Sequence, residues 1–375
     1  MKKITFMTIV GILTLLVSPI TTEASYHFGS FRASPPLHIL TSAKTRMGGL
    51  TPDAIKKVYN LPQTGGHGTI AIITAYHDPT IEQDLSMFNS SFNISSCTYK
   101  NGCLESHQVS TSTKTADTGW SLETSMDVEW AHAIAPNAHI LIVEAITPSG
   151  ENLLKAVDYA KSRNDVVSIS MSWGGMEFPE EATLDKHFQN GNNGSPSPVF
   201  FAASGDSGAG VNWPAVSPYV IAVGGTHLTF TTNKNLSAES AWSGSGGGIS
   251  AYENQPNYQK NYNLPKAKGM RSIPDVSYNA DPKSGYAVYR STPQNPGRWY
   301  ILGGTSAGAP QWAAIHSIGL SISHQRLYAD KSLADTDQFF RDITSGTNGS
   351  CSYYCKARVH YDYVTGLGSP VTVNF

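Results

Sequence analysis

Between residues 69 and 203 the chain alternates short, mainly apolar runs with amphipathic stretches, and few folds accept that pattern. Thr69–Tyr76 (TIAIITAY), Ala138–Ala145, Val166–Met171 and Pro198–Ala203 read as strands. Thr80–Phe88, Gly119–Ala135, Asn152–Ser162 and Ala182–Asn190 read as the helices between them. A strand apolar at every position is buried on both faces, and a helix between two such strands makes a parallel crossover. The expectation is an α/β fold: a mainly parallel sheet with helices on both faces. Thr51-Pro52-Asp53 marks its first helix, with Thr as cap and Pro at the first helical position. Residues 225–300 are richer in Gly, Ser, Asn and Tyr, which suggests short strands and long loops. No linker divides residues 51–375, so one domain is expected there.

The segment before that domain has a different character. Lys2 and Lys3 precede an apolar run from Ile4 to Val17, followed by Pro19 and Thr22-Glu23-Ala24. This is the plan of a secretory signal peptide over residues 1–24, the run being short for a span of about 20 residues. An uncleaved membrane anchor is the alternative. Residues 25–50 lack periodicity, contain Pro35-Pro36, and read as a poorly ordered lead-in.

Composition agrees with export. Lys+Arg 26 against Asp+Glu 28 leaves no basic excess to advertise a nucleic-acid partner, and a charged content of only 14% with 34 glycines suits a loop-rich secreted chain. The four cysteines fall in two close pairs, Cys97/Cys103 and Cys351/Cys355. In an exported chain the simplest reading is two local disulfides; as zinc ligands the pairs are spaced too widely.

Three segments carry candidate chemistry. Gly303-Gly304-Thr305-Ser306-Ala307-Gly308-Ala309-Pro310 sets Ser306 between a glycine turn and a helix-forming stretch. A serine there meets free N–H groups and the positive end of the helix dipole, which suit an oxyanion; a simple helix cap is the plain alternative. A nucleophilic serine also needs a base. His67 opens directly into a strand rather than a helix, and Asp78 follows it rather than preceding it, so a subtilisin-like His–Asp pair fails on context.

The better base lies in SLETSMDVEWAHAIAP. With Glu123 at 0° on a helical wheel, Asp127 falls at about 40°, Trp130 at about 340° and Ile134 at about 20°. Ser125, Glu129 and His132 gather on the opposite face, where Glu129 reads as an ordinary solvated acid. Two inward carboxylates one turn apart share a proton and split their ionisations, a device suited to acid–base work at low pH. In the third segment, Phe200-Phe201-Ala202-Ala203-Ser204-Gly205-Asp206-Ser207-Gly208, an apolar strand ends in a glycine-flanked Asp206, where parallel sheets carry their sites.

Taken with SISMSWGG at 168–175, RDITSGTNG at 341–349 and DYVTGLGSP at 362–370, these segments resemble the sedolisin family of serine-carboxyl peptidases, most closely its kumamolisin type. The resemblance runs in family order over residues 50–375 and implies a subtilisin-like fold. It implies Ser306 as nucleophile, Glu123 as the base, Asp127 as its support and a protonated Asp206 as oxyanion donor. Trp173 and Gly174 resemble the segment that lines the substrate cleft. One calcium ion is implied, held by Asp342, the carbonyl of Ile343, two carbonyls at Arg358 and His360, and Asp362. Arg358 and His360 stand where the family has glycines. With only residues 25–50 between the expected leader cut and the first helix, no large folded prodomain is expected.

The reading is therefore a secreted, acid-acting endopeptidase on polypeptide substrates, monomeric, with no nucleic-acid partner and no membrane once the leader is removed. A silent binding protein on the same scaffold and a neutral-pH subtilisin-like peptidase are the alternatives.

Overall fold

In the computed structural model the described residues are 27–44, 47–110, 115–189, 197–319, 321–329 and 339–371; the expected signal peptide lies outside them. Strand β1 is His38–Lys44 and helix α1 Pro52–Val58, with the Thr51 hydroxyl capping the Ala54 N–H. There follow β2 Thr69–Ala75, α2 Ile81–Phe92, β3 Leu104–Gln108, α3 Thr118–Ile134, β4 His139–Ala145, α4 Gly150–Ser162 and β5 Val166–Met171. The second half supplies β6 Val199–Ala203, β7 Val220–Phe230, β8 Leu236–Ala241, β9 Val276–Asn279, β10 Tyr286–Thr292, β11 Asn295–Gly303 and α5 Gly308–Ser317. Residues 182–190, expected as an α-helix, instead form a 3-10 helix over Glu181–His187.

The central sheet runs β8-β7-β6-β5-β2-β4-β3, with β9 also paired to β7. All its pairings are parallel except β8 on β7. Each strand contributes to two cores, because alternate side chains point to opposite faces. In β2, Ile70 and Ile72 join α3, α5 and their neighbours on one side. Ala71, Ile73 and Ala75 join α4 residues such as Leu153 and Val157 on the other. This is the expected parallel sheet covered on both faces. The expected disulfides Cys97–Cys103 and Cys351–Cys355 are both present.

Two expectations need correction. Helix α3 has no solvent face: Glu129 and His132 are as buried as Glu123 and Asp127. The wheel identifies a polar face correctly, but that face is covered by other protein. Glu129 Oε2 accepts the Tyr289 N–H of β10 at 3.1 Å, and His132 Nε2 lies 2.9 Å from the Ser95 carbonyl. Burial pushes the Glu129 carboxyl well up and the His132 imidazole down, so both are held neutral.

The second correction concerns the lead-in. Residues 27–44 pack onto the domain in a defined path. Strand β1 lies antiparallel on β11 with His38 opposite Gly303, and Phe31 is buried against Phe178 and Trp213. The segment lacks amphipathic periodicity because its bonds are made through backbone groups to existing strand edges.

Candidate active site

The fold converges three sequence segments on one point. Helix α3 carries Glu123 and Asp127, each 1% exposed, and the turn before α5 carries the fully buried Ser306. Ser172 stands one residue past β5 and Asp206 three past β6, at the carboxyl ends of neighbouring strands.

Neither Glu123 oxygen makes a well-formed hydrogen bond; the polar groups that act on it are the Asp127 carboxyl and the Ser306 hydroxyl. Burial, then the charge of Asp127, drives the Glu123 carboxyl well above its usual range. Burial also raises Asp127, opposed by hydrogen bonds from Ser172 and Glu123. Two carboxyls this close inside protein behave as one unit carrying a single proton between its two ionisations. Asp127 Oδ1 is fixed by the Ser172 hydroxyl at 2.7 Å, and the same Ser172 oxygen lies 3.1 Å from the Ser306 carbonyl.

Asp206 approaches from the other side of Ser306. Its Oδ1 accepts the Thr305 N–H and the Thr305 hydroxyl, both at 2.8 Å. Its Oδ2 makes no hydrogen bond and lies 3.3 Å from His38 Nε2. Burial raises this carboxyl to about 7 despite the two Thr305 contacts. At acid pH its proton therefore belongs on Oδ2, the oxygen with no donor of its own. Gly304 makes the space between these groups. A Cβ there would lie 2.0 Å from the Pro36 carbonyl oxygen and 2.7 Å from Asp206 Oδ2.

That Pro36 carbonyl belongs to the lead-in. Its oxygen accepts the Ser306 hydroxyl at 2.8 Å. Two residues earlier, Ser34 exchanges both backbone hydrogen bonds with Gly174, at 3.1 and 3.2 Å. On the other edge, the Ala33 N–H reaches the Pro148 carbonyl at 2.9 Å.

Gly174 thus meets the lead-in through its backbone, whereas Trp173 is a core residue. Its ring is wholly buried and its indole N–H donates to the Ile73 carbonyl at 3.1 Å. Side chains alternate along this segment, so the residue before the cleft-facing glycine points into the core. His67 and Asp78 lie elsewhere. The His67 N–H bonds to Ser317 at the far end of α5, about 15 Å along the helix from Ser306. Asp78 is buried against Thr80 and Ser125.

In the C-terminal loops, the His360 N–H donates to Asp342 Oδ2 at 2.8 Å. Asp362 accepts the N–H groups of Val364, Thr365 and Arg358 and the Thr365 hydroxyl. The Arg358 guanidinium is turned toward Tyr353, 4.4 Å from its ring centre. Ile343 is buried beside Val364.

Several residues that build the site carry no signal in sequence periodicity: Ser172, Thr305, Gly304, and Ser34, Pro36 and His38 of the lead-in. Ser172 and Gly304 stand inside the motifs quoted above, and only the folded geometry separates them from their neighbours.

The chain belongs to the subtilase family, which matches residues 52–327. Within it, the relatives place the chain among the sedolisins. It is 33% identical to kumamolisin from Bacillus sp. (strain MN-32) over 67% of this chain and 49% of that protein. It is 27% identical to sedolisin from Pseudomonas sp. (strain 101) over 90% of this chain and 63% of that protein. The solved structure of Pseudomonas sedolisin, complexed with two molecules of pseudo-iodotyrostatin, has a TM-score of 0.71 at 26% identity, covering 87% of this chain and 96% of that one. The chain therefore spans 49% and 63% of the length of these two curated relatives.

Proposed function

We propose that this chain is a secreted serine-carboxyl endopeptidase that hydrolyses peptide bonds at acid pH through an acyl-enzyme. The observation that carries the reading is the buried Glu123–Asp127 pair within reach of Ser306, with a second raised acid, Asp206, across the same point. A silent binding protein has no use for three buried carboxyls around one hydroxyl, since each costs stability when ionised. A His-based subtilisin mechanism is not favoured: His67 is bound to the opposite end of α5, and His38, the histidine near the site, faces Asp206 from the lead-in.

The chemistry follows from the geometry. A substrate strand pairs with Gly174, which carries its carbonyl to Ser306. Glu123 acts as the base in the microstate in which the pair's shared proton sits on Asp127, and takes the Ser306 proton as Oγ attacks. Asp206, protonated at Oδ2, donates to the developing oxyanion. Collapse of the tetrahedral intermediate moves the proton from Glu123 to the leaving amine. Water then enters and gives Glu123 a proton as it attacks the ester, and Glu123 returns that proton to Ser306 Oγ as the acid is released.

A calcium ion fits the C-terminal loops. Asp362 is buried and raised to about 7 by burial, and its hydrogen-bond partners are amides and a hydroxyl rather than a cation. A hard dication supplies the missing countercharge, with Asp342, Asp362 and the carbonyls of Ile343, Arg358 and His360 as donors. Its contribution is to tie two loops together, remote from any proton transfer.

Polypeptides are the proposed substrates and a monomer the proposed state. No helix among the described residues is long and apolar enough to cross a membrane, and secretion rests on the signal-like residues 1–24. The test is hydrolysis of denatured casein from acid to neutral pH, with Ser306→Ala and Glu123→Gln alongside. Activity confined to acid and abolished in both variants supports the reading; activity that survives Glu123→Gln overturns it.

A further inference from the structure

We infer that the domain carries a second binding site, remote from Ser306, that takes a neutral oligosaccharide. The site is a cavity of about 1200 Å3 at the amino ends of strands β6 and β7. Asp206 and Ser172 stand at the carboxyl ends of the sheet, so strand β6, roughly 16 Å long, separates the two sites.

The walls of this cavity are polar but uncharged. Six amide side chains line it: Gln189, Asn254, Gln255, Asn257, Asn261 and Gln325. All six are exposed or half-buried, and none makes a side-chain hydrogen bond among the described residues. An amide presents N–H donors and a carbonyl acceptor side by side. A sugar hydroxyl is donor and acceptor at once, so a row of unused amides answers a row of hydroxyls in both roles. No Asp, Glu, Lys or Arg lines the cavity among the described residues. The ring of His324, which does line it, is turned to the Val220 carbonyl at 3.1 Å and lies 3.5 Å from Asp275.

The floor is a set of rings held in place before any ligand arrives. Tyr258 stacks on His324 with ring centres 4.4 Å apart, and Tyr328 meets Tyr262 edge-on at 5.5 Å. The Tyr258 hydroxyl donates to the Pro218 carbonyl at 2.9 Å, and the Tyr328 hydroxyl to Asp275 at 2.7 Å. Tyr219 stands at the wall with 44% of its surface exposed. The electron-rich face of such a ring attracts the C–H face of a sugar, while its hydroxyl stays wet.

Other occupants suit these walls less well. An acidic ligand meets no cation, and a lipid would leave six amides dry and unpaired. A peptide is gripped at a free strand edge, and both edges of β6 and of β7 are already paired. The volume exceeds the roughly 300–1,000 Å3 of a small-molecule pocket and gives room for several sugar rings. A carbohydrate-bearing substrate or surface is thus held at one end of the sheet while the chemistry proceeds at the other.

The experiment titrates the full chain carrying Ser306→Ala, at pH 6, with cellohexaose, chitohexaose and maltohexaose by calorimetry. Hexagalacturonate serves as the charged counterpart of the same length. Tyr219→Ala and the pair Asn257→Ala with Asn261→Ala are titrated alongside, their fold checked by circular dichroism. The expected result is a Kd below about 1 mM for at least one neutral hexasaccharide. That Kd rises at least tenfold in both variants, and hexagalacturonate binds at least tenfold more weakly. Weaker binding than this by all three neutral sugars overturns the inference. So does equal binding of hexagalacturonate, or a Kd unmoved in either variant. Binding needs no turnover, so this result and the fate of the peptidase reading are separately measured.

Discussion

Ser172 Oγ lies 2.7 Å from Asp127 Oδ1 and so ties the end of strand β5 to the middle of helix α3. The same hydroxyl lies within reach of the Ser306 carbonyl, so one small side chain registers three segments against one another. Ser172→Ala removes the donor and leaves a buried carboxylate oxygen short of a partner, a cost of about 1–3 kcal/mol. The expected outcome is a kcat lowered by about tenfold or more with KM little changed, partly restored by Ser172→Thr. Steady-state kinetics on a peptide substrate check it.

In the proposed mechanism, loss of Ser306 or of Glu123 stops the reaction at the same step. Ser306→Ala and Glu123→Gln are each expected to reduce kcat by a factor of about 10^4 or more, and the double variant to lose little beyond either single one. Single-turnover assays on a fluorogenic peptide measure this. A fully additive double variant contradicts a shared step.

In the proposed mechanism Asp206 sets the neutral limb of the pH profile. Its carboxyl is raised to about 7, so it is protonated and able to donate below that value and ionised above it. Activity therefore declines as pH rises through about 7, and Asp206→Ala is expected to cost about 10^2–10^3 in kcat at pH 4. Stability moves the same way. A carboxyl whose folded value is raised above the unfolded 3.8 favours the folded state most below 3.8, and that advantage is lost as pH rises toward about 7. Thermal melts are expected to show a higher Tm at pH 4 than at pH 8, with a smaller difference in Asp206→Asn.

Gly304 is the narrowest point of the site. A methyl group there would sit 2.0 Å from the carbonyl oxygen and 2.7 Å from Asp206 Oδ2, both inside van der Waals contact. Gly304 also has φ +137°, which side chains rarely adopt. Gly304→Ala is expected to lower kcat/KM by at least 10^2 and to destabilise the fold, read by kinetics and by a melt on the same sample.

The proposed calcium site joins the loops that hold Asp342 and Asp362. Chelation is expected to lower Tm more at pH 7 than at pH 4, because Asp362 is raised to about 7 and is mostly protonated in acid. Asp362→Asn removes most of that dependence. Melts with and without chelator at the two pH values decide it.

Much of this arrangement can be read from the chain in advance, and the reason is local physics. Strands such as Thr69–Ala75 are buried on both faces, so most positions are apolar and the run marks itself. Glu123 and Asp127 share a wheel stripe with Trp130 and Ile134, which exposes them as buried acids. The same wheel misjudges Glu129, because periodicity reports which residues share a face and not what covers that face. Trp173 beside Gly174 fails for a related reason: the motif locates the cleft-lining segment, but alternation along it decides which residue faces inward. The lead-in has no periodic signal at all. Its fit depends on Gly150, Gly175 and Gly304, which are far apart in sequence and meaningful only once the sheet brings them together.

The enclosure of α3 on every side bears on how the molecule opens. Among helices that carry catalytic-type groups, one with a wet face can fray while the rest of the protein stays shut. Here Trp120–Ile134 are all buried, so deuterium is expected to reach the mid-helix N–H groups only through the deepest opening of the domain. Glu123 and Asp127 thus ride on the part of the chain that lets go last.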